Sequence, residues 1–272
     1  MPPRRLRLDA ELVRRGLAPS RERAARMIAD GRVKVGGVTA AKPATGVTTD
    51  VAIVVSEGDT GPDYVSRGAH KLAGALAAFT PVGLEVAGRR CLDAGASTGG
   101  FTDVLLREGA AEVVAVDVGY GQLDWSLQQD PRVRVHDRTN VRTLTPEEIG
   151  GTVDLVVGDL SFISLTLVLD ALLGVTGDDG DLVLMVKPQF EVGKDRVGKG
   201  GVVRDPDLRA EAVLDVAAAA AARGWGARDV TVSPLPGPSG NVEFFLWLRR
   251  GPAEIDEERI AAVVRAGVDG GG

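Results

Sequence analysis

Between about residue 88 and residue 250 the chain alternates short apolar, β-branched runs with helical stretches, and this alternation limits the possible fold more than any other feature. Strand-length runs are read at Arg90–Asp93, Val113–Asp117, Val133–His136, Val153–Asp159, Asp181–Lys187, Asp229–Pro234 and Glu243–Arg249. Helices fall between them, notably over Gly99–Glu108, Leu165–Leu173 and Pro206–Arg223. Strands that take turns with helices imply a parallel sheet covered by helices on both faces, an α/β, Rossmann-like arrangement.

The first strand runs into LDAGASTGGFTDVLL, a glycine-rich turn directly before a helix, which lets a ligand approach the backbone closely. The next strand ends in an acid, Asp117, about twenty residues beyond the turn, where a carboxylate can accept hydrogen bonds from both hydroxyls of a nucleoside ribose. The turn reads Gly95-Ala96-Ser97-Thr98-Gly99-Gly100 and lacks the Gly-x-Gly-x-x-Gly spacing of dinucleotide sites. The third strand ends in HDRTNVR, which holds the polar residues Asp137 and Asn140, and the aromatics Tyr120 and Trp125 follow Asp117.

The N-terminal region has a different character. Residues 1–45 carry 11 basic and 4 acidic side chains, a balance of +7, whereas the whole chain has a net charge of -6. A basic head on an acidic chain points to local contact with nucleic acid or another anionic surface. Leu6, Leu8, Leu12, Val13 and Leu17 have helical spacing; Ser20 is a good N-cap for a second helix ending at Gly31; Val33–Val35, a Gly36-Gly37 turn and Val51–Val55 read as strands. SEGDTGPDYV reads as a linker. The domains expected are therefore 1–60, a linker over 61–69, and 70–268. A further basic, glycine-rich loop holds Lys194, Arg196, Lys199 and Arg204 and is either a second contact or a mobile surface loop.

The two histidines and the single cysteine, Cys91, argue against a metal site and against disulfides. The opening MPPRRLRLDAELV has no signal-peptide character, and no apolar run is long enough to span a bilayer. These features are expected of a cytoplasmic protein.

Three polar residues stand at the ends of predicted strands, Asp159 in DLVVGDLSF, Lys187 in LVLMVKPQFE and Glu243 in NVEFFLWL, and Lys71 in SRGAHKL lies just before the sheet begins. A lysine directly after Leu-Val-Leu-Met-Val is costly to bury without a purpose. With the glycine-rich turn, the order Lys–Asp–Lys–Glu resembles the tetrad of the FtsJ/RrmJ ribose 2'-O-methyltransferases. The chain as a whole resembles the TlyA family of rRNA 2'-O-methyltransferases, some of which carry a hemolysin label, over about Arg4 to Arg250. The stretch RLDAELVRRGLAPSRERAARMIADGRVKVGGVTAAKPATGV resembles an S4-type RNA-binding domain.

This resemblance implies an S-adenosyl-L-methionine cofactor, with Gly95, Ala96, Ser97, Thr98, Gly99 and Gly100 cradling its methionine part, Asp117 holding its ribose and either Asp137 or Asn140 contacting its adenine, which Tyr120 and Trp125 could flank, although aromatics in such places are more often core. It implies catalysis by Lys71, Asp159, Lys187 and Glu243, with no metal. It implies ribosomal RNA or ribosomal subunits as partner, contacted by Arg14, Arg15, Ser20, Arg21, Arg23, Arg26, Lys34 and Arg67. It implies methylation of a cytidine ribose in 16S rRNA, 23S rRNA or both, with an effect on sensitivity to capreomycin-type antibiotics. The chemistry agrees with the residue types. A ribose hydroxyl is a weak acid that needs a positioned base, and an amine serves as one only when neutral. Two alternatives are a non-catalytic RNA-binding ribosome-assembly factor and a membrane-active hemolysin-like protein. The intact tetrad opposes the first, and the lack of a spanning or amphipathic basic-aromatic segment opposes the second.

Overall fold

A computed structural model describes residues 5–18, 20–29, 31–56 and 64–267. The chain separates into two compact units, Met1–Asp63 and Tyr64–Gly272. Packing thus begins at Tyr64, inside the stretch expected as linker over 61–69: Val65 donates its N–H to Asp103 Oδ2 at 2.9 Å, and Tyr64 meets His70 edge to face. Residues 61–63 of that linker lie outside the described residues.

The first unit contains β1 (Leu6–Arg7), α1 (Leu8–Arg14), α2 (Arg21–Ala29), β2 (Val33–Val35), β3 (Val38–Thr39), β4 (Gly46–Val47) and β5 (Ile53–Val55). The helical spacing of Leu6 is misleading. Leu6 pairs with Val47 and Arg7 with Gly46 in an antiparallel ladder, so tertiary pairing overrides helix periodicity and α1 begins only at Leu8. Ser20 does cap α2, accepting from the Arg23 N–H at 3.1 Å. Leu8, Leu12, Ala24, Ile28 and Val33 close a small core.

The second unit contains α3 (Ala69–Phe79), β6 (Arg90–Ala94), α4 (Gly100–Arg107), β7 (Glu112–Val116), α5 (Trp125–Gln128), β8 (Val133–His136), β9 (Val153–Gly158), α6 (Leu169–Val175), β10 (Thr176–Val186), α7 (Pro188–Glu191), α8 (Pro206–Ala221), β11 (Trp225–Val232), β12 (Phe244–Arg250) and α9 (Glu257–Ala266). Seven strands form one sheet in the order β11-β12-β10-β9-β6-β7-β8, with β12 antiparallel to both its neighbours. The expected helix over Leu165–Leu173 is divided: a 3-10 turn spans Leu165–Leu167, capped by Ser164, and the α-helix starts at Leu169. The strand expected from Asp181 begins earlier, at Thr176, with an irregular register up to Asp181.

Successive strand residues enter opposite cores, as the unbroken apolar runs require. Leu92, Val114, Val156 and Leu184 face one core, and Cys91, Val113, Val157 and Met185 face the other. Cys91 is therefore a core residue, and burial pushes its thiol up to about 12. The strand order reverses at β6, where β7 lies on one side and β9 on the other, the switch point beside which open α/β sheets bind their ligands. Among the described residues no helix is long and apolar enough to cross a membrane.

Candidate active site

The loop after β6 needs glycine for steric reasons that the fold makes explicit. Gly95 has φ +86°, and a Cβ there would sit 3.0 Å from the Asp159 carbonyl oxygen. Gly99 has φ +94°, and its Cβ would meet Leu127 and Leu123 side-chain carbons at 2.3 and 2.8 Å. A Cβ on Gly100 would strike Ser66 Oγ at 2.4 Å and the Ala69 backbone nitrogen at 2.8 Å. Gly95 and Ala96 both donate N–H groups to the Val116 carbonyl, tying the loop to the end of β7. The Thr98 carbonyl accepts from the Asp124 N–H.

Asp117 follows β7 and holds that loop from the other side: one carboxylate oxygen accepts from the Ser97 N–H at 2.8 Å, the other from the Gly119 N–H at 2.6 Å. Asp137 accepts from the Gly121 N–H at 2.8 Å and so anchors the segment after Asp117. Asn140 acts as a cap, its side chain accepting from the Arg142 N–H at 3.0 Å. Tyr120 and Trp125 are exposed rather than core, at 69% and 66%, and the Arg138 guanidinium stacks over the Tyr120 ring. Among the described residues three non-glycine residues have positive φ: Ser97, Arg138 and Phe162. They follow β6, β8 and β9 respectively, so backbone strain collects along the carboxyl edge, where strained conformations mark function more often than packing.

Sequence reasoning missed Asp93. It lies in β6 beneath this loop, fully buried, with one oxygen accepting from Thr102 Oγ1 at 2.7 Å and the other without a partner. Burial pushes its carboxyl up to about 7, the Thr102 hydrogen bond opposes the shift, and the Asp159 and Asp117 charges add to it. A tight loop with glycine where no side chain fits, an acid after β7 and an orphaned buried carboxyl oxygen fit a nucleoside cofactor with a charged amino-acid tail.

The four polar residues converge at the same edge as two ion pairs. Lys187 follows β10 and lies 2.5 Å from Asp159, which follows β9. The angles at that contact fall outside hydrogen-bond geometry, so it is a charge pair, and the Lys187 amine donates instead to Ser161 Oγ at 2.9 Å. Lys71, in the first turn of α3, donates to Glu243 Oε2 at 2.5 Å. Both lysines are buried, at 8% exposure for Lys71 and 7% for Lys187, and Glu243 is wholly enclosed immediately before β12. Because β12 runs antiparallel, its start lies at the same edge as the ends of β9 and β10. Two further residues escape the sequence reading. Gln189 Nε2 donates to Glu243 Oε1 at 3.2 Å, and Phe162, 90% exposed, packs on Phe190 with ring centroids 5.2 Å apart. Gln189 stands two residues after Lys187, and that proximity is its one sequence signal.

In the first unit the expected RNA-facing residues behave differently from one another. Arg15 is a structural staple: it pairs with Glu11 at 2.7 Å and donates to the carbonyls of Val51, Thr48 and Thr49. Arg14 also pairs with Glu11, and Arg21 with Asp9, yet both keep more than half of their side-chain surface exposed. Hydrogen bonds from Arg14 and Arg15 hold the Glu11 carboxyl down at about 2. Ser20 is engaged as a cap, Lys34 is exposed on β2, Arg23 lies half-buried on α2, and the side chain of Arg26 lies outside the described residues. Arg67, in the second unit, is exposed just before α3. In the loop between α7 and α8, Arg196 pairs with Glu211 and Arg204 donates to the Lys199 carbonyl, while Lys194 and Lys199 are exposed.

A seven-stranded sheet with one antiparallel strand, a glycine-rich loop after its first strand and an acid after its second define an S-adenosylmethionine-dependent methyltransferase. The chain belongs to the FtsJ-like methyltransferase family, whose profile matches residues 64–250. Residues 6–53 match the S4 domain. The chain is 65% identical over 246 residues to the 16S/23S rRNA (cytidine-2'-O)-methyltransferase TlyA of Mycobacterium tuberculosis, covering 90% of each protein. It is 35% identical to Hemolysin A of Brachyspira hyodysenteriae, covering 88% of this chain and 98% of that one. A solved structure from Streptococcus thermophilus that carries a hemolysin label superposes with a TM-score of 0.76 at 36% identity, covering 97% of this chain and 96% of that chain.

Proposed function

We propose that this methyltransferase transfers a methyl group to the 2'-hydroxyl of a cytidine ribose in 16S rRNA, 23S rRNA or both, using Lys71, Asp159, Lys187 and Glu243. The observation that carries this reading is the convergence of two lysine–carboxylate pairs, both with buried lysines, beside the glycine-rich loop. The TlyA relative, which acts on cytidine ribose by its name, supports the substrate.

When bound, S-adenosylmethionine supplies an electrophilic methyl group on a positively charged sulfur. Gly95–Gly100 and Asp117 are the residues to hold it, with Asp137 fixing the segment beside Asp117. Removing the hydroxyl proton as the oxygen attacks is the remaining work of this chain. Lys187 is the candidate acceptor. For it to accept, one of its own protons must first pass to Asp159 at 2.5 Å or to solvent, after which the neutral amine can turn its lone pair to the hydroxyl and take that proton. Ser161 fixes the amine, and the Lys71–Glu243 pair stands at the same edge of the sheet. The exposed Phe162 ring, next to Ser161, offers a stacking face for a nucleobase removed from its helix. The S4-matching unit, with Arg14, Arg21, Arg23, Arg26 and Lys34, would grip phosphates and position the RNA without reading its sequence.

The test is transfer of labelled methyl from S-adenosylmethionine to isolated ribosomal subunits, followed by mapping of ribose methylation. A 2'-O-methylcytidine formed by the wild-type protein and lost with Lys187→Ala is the expected result. Label on a base or on protein, or none on RNA, would overturn the proposal.

A further inference from the structure

α7 is only four residues long, yet three successive side chains on it reach three different parts of the site. Gln189 donates to Glu243 Oε1 at 3.2 Å. The Phe190 ring lies 5.9 Å from the Lys187 amine on one side and 5.2 Å from the Phe162 ring on another. Glu191 accepts from Ser164 Oγ at 2.5 Å and from the Leu165 N–H at 2.9 Å, at the start of the 3-10 turn that follows Asp159 and Ser161. The backbone is equally tied: Lys187 precedes α7 in extended conformation, Pro188 is its buried first residue, and the Phe190 N–H donates to the Lys187 carbonyl at 2.8 Å.

The two polar contacts have a common logic. Glu243 is wholly buried, with Lys71 on one oxygen and Gln189 on the other. On that second side the backbone of Gly237 comes so close that a Cβ there would sit 2.6 Å from Oε1. A carboxylate only accepts, so Gln189 must offer its NH₂, and the amide cannot rotate without placing oxygen against oxygen. Its own Oε1 is left buried without a partner, an arrangement that packing alone does not reward. Glu191 likewise uses both oxygens on the loop that carries Asp159 and Ser161, although burial opposes its charge.

We propose that α7 is a strut that sets both ion pairs relative to Lys187, with Gln189 and Glu191 as positioning residues: Gln189 orients Glu243, and Glu191 holds the Asp159–Ser161 loop. This rests on the ribose-methylation reading, and neither side chain is assigned a contact with substrate. Lys187 cannot move along the edge without moving α7, and α7 cannot move without releasing Glu243 on one side and the loop after β9 on the other.

The test is single-turnover methyl transfer to ribosomal subunits at saturating cofactor and RNA, with cofactor and RNA affinities and melting temperature measured alongside. Wild-type protein that fails to methylate ribose refutes the function itself and is scored apart. Given an active wild type, Gln189→Leu should lower the rate about 10- to 100-fold, the scale of one hydrogen bond to a charged group, with both affinities and the melting temperature preserved. In a double-mutant cycle, Gln189→Leu added to Glu243→Ala should cost little further rate, because both remove the same hydrogen bond. Glu191→Gln keeps an acceptor for the Leu165 N–H and should retain most activity, whereas Glu191→Ala should lose it. A wild-type rate for Gln189→Leu, losses that multiply fully with Glu243→Ala, or equal behaviour of Glu191→Gln and Glu191→Ala would each overturn the strut.

Discussion

The sequence contains 26 arginines and 6 lysines, yet both cationic positions of the tetrad are lysine. Arginine does not deprotonate in proteins, whereas lysine can, so the choice matches a proton acceptor better than a fixed charge. Lys187→Arg should keep the pairing with Asp159 but slow single-turnover methyl transfer about a hundredfold or more, with cofactor and RNA affinities little changed. A rate near wild type would reduce Lys187 to an electrostatic group. Asp93 leads to a second expectation at this scale. Its carboxyl is raised from 3.8 to about 7, so the folded protein holds a proton there that the unfolded chain releases above its ordinary value. Stability from this group is therefore greatest at low pH and falls as pH rises towards 7, the reverse of a salt-bridged acid. A cationic cofactor tail bound above the loop favours the ionised form. Binding should then release a proton and tighten as pH rises from about 6 to about 8. Calorimetry in buffers of different ionisation enthalpy counts that proton, and Asp93→Asn should abolish the release; binding with no proton release in wild type would refute the link.

The start of α4 and the start of α3 meet so closely that only glycine fits at position 100. The obstacles to a Cβ there include the Ala69 backbone and not merely a flexible side-chain tip. Gly100→Ala must push α3 and its preceding turn away from the loop, and Lys71 is the third residue of α3. The expected outcome is a loss of about 1–3 kcal/mol of stability by chemical denaturation, the scale of an overpacked core position, together with slower methyl transfer. Unchanged stability would mean that the turn yields at no cost. The same close approach explains why the linker expected over 61–69 ends earlier: Ser66, Gly68 and Ala69 are packed against α4 and cannot serve as a free tether.

Across the whole molecule, charge is divided between the parts. Residues 1–45 have a balance of +7 in a chain whose net charge is -6, so RNA attraction should be concentrated in the S4-matching unit. Replacing Arg21 and Lys34 by Ala in the full chain should flatten the log–log salt dependence of RNA affinity by about 0.7–0.9 for each phosphate that is no longer neutralised. An unchanged slope would exclude that face. Arg15→Ala should act differently, loosening the 48–51 turn that its guanidinium bridges to Glu11. Amide exchange in that turn should speed up, and exchange as slow as in wild type would show that the staple is dispensable.

The order of elements, the glycine-rich turn and the acid after the second strand are local patterns, and local periodicity and turn chemistry were enough for the sequence to determine the sheet domain and the edge on which that turn and acid lie. The four tetrad residues were legible through resemblance and through the oddity of a lysine after an apolar strand. The charge of the N-terminal region was legible too, but not which arginines are taken up internally: Arg15 reads like Arg14 until the 48–51 carbonyls fold over it. Only the tertiary structure decided the pairing of the tetrad, Lys187 with Asp159 and Lys71 with Glu243, the latter across 172 positions. It also decided the burial of Asp93 and the grip of Gln189 and Glu191. The physical reason is that these pairings depend on which strands are neighbours. β10 lies between β9 and β12, and that order brings residues far apart in the chain to one edge, where burial makes each charge choose a partner.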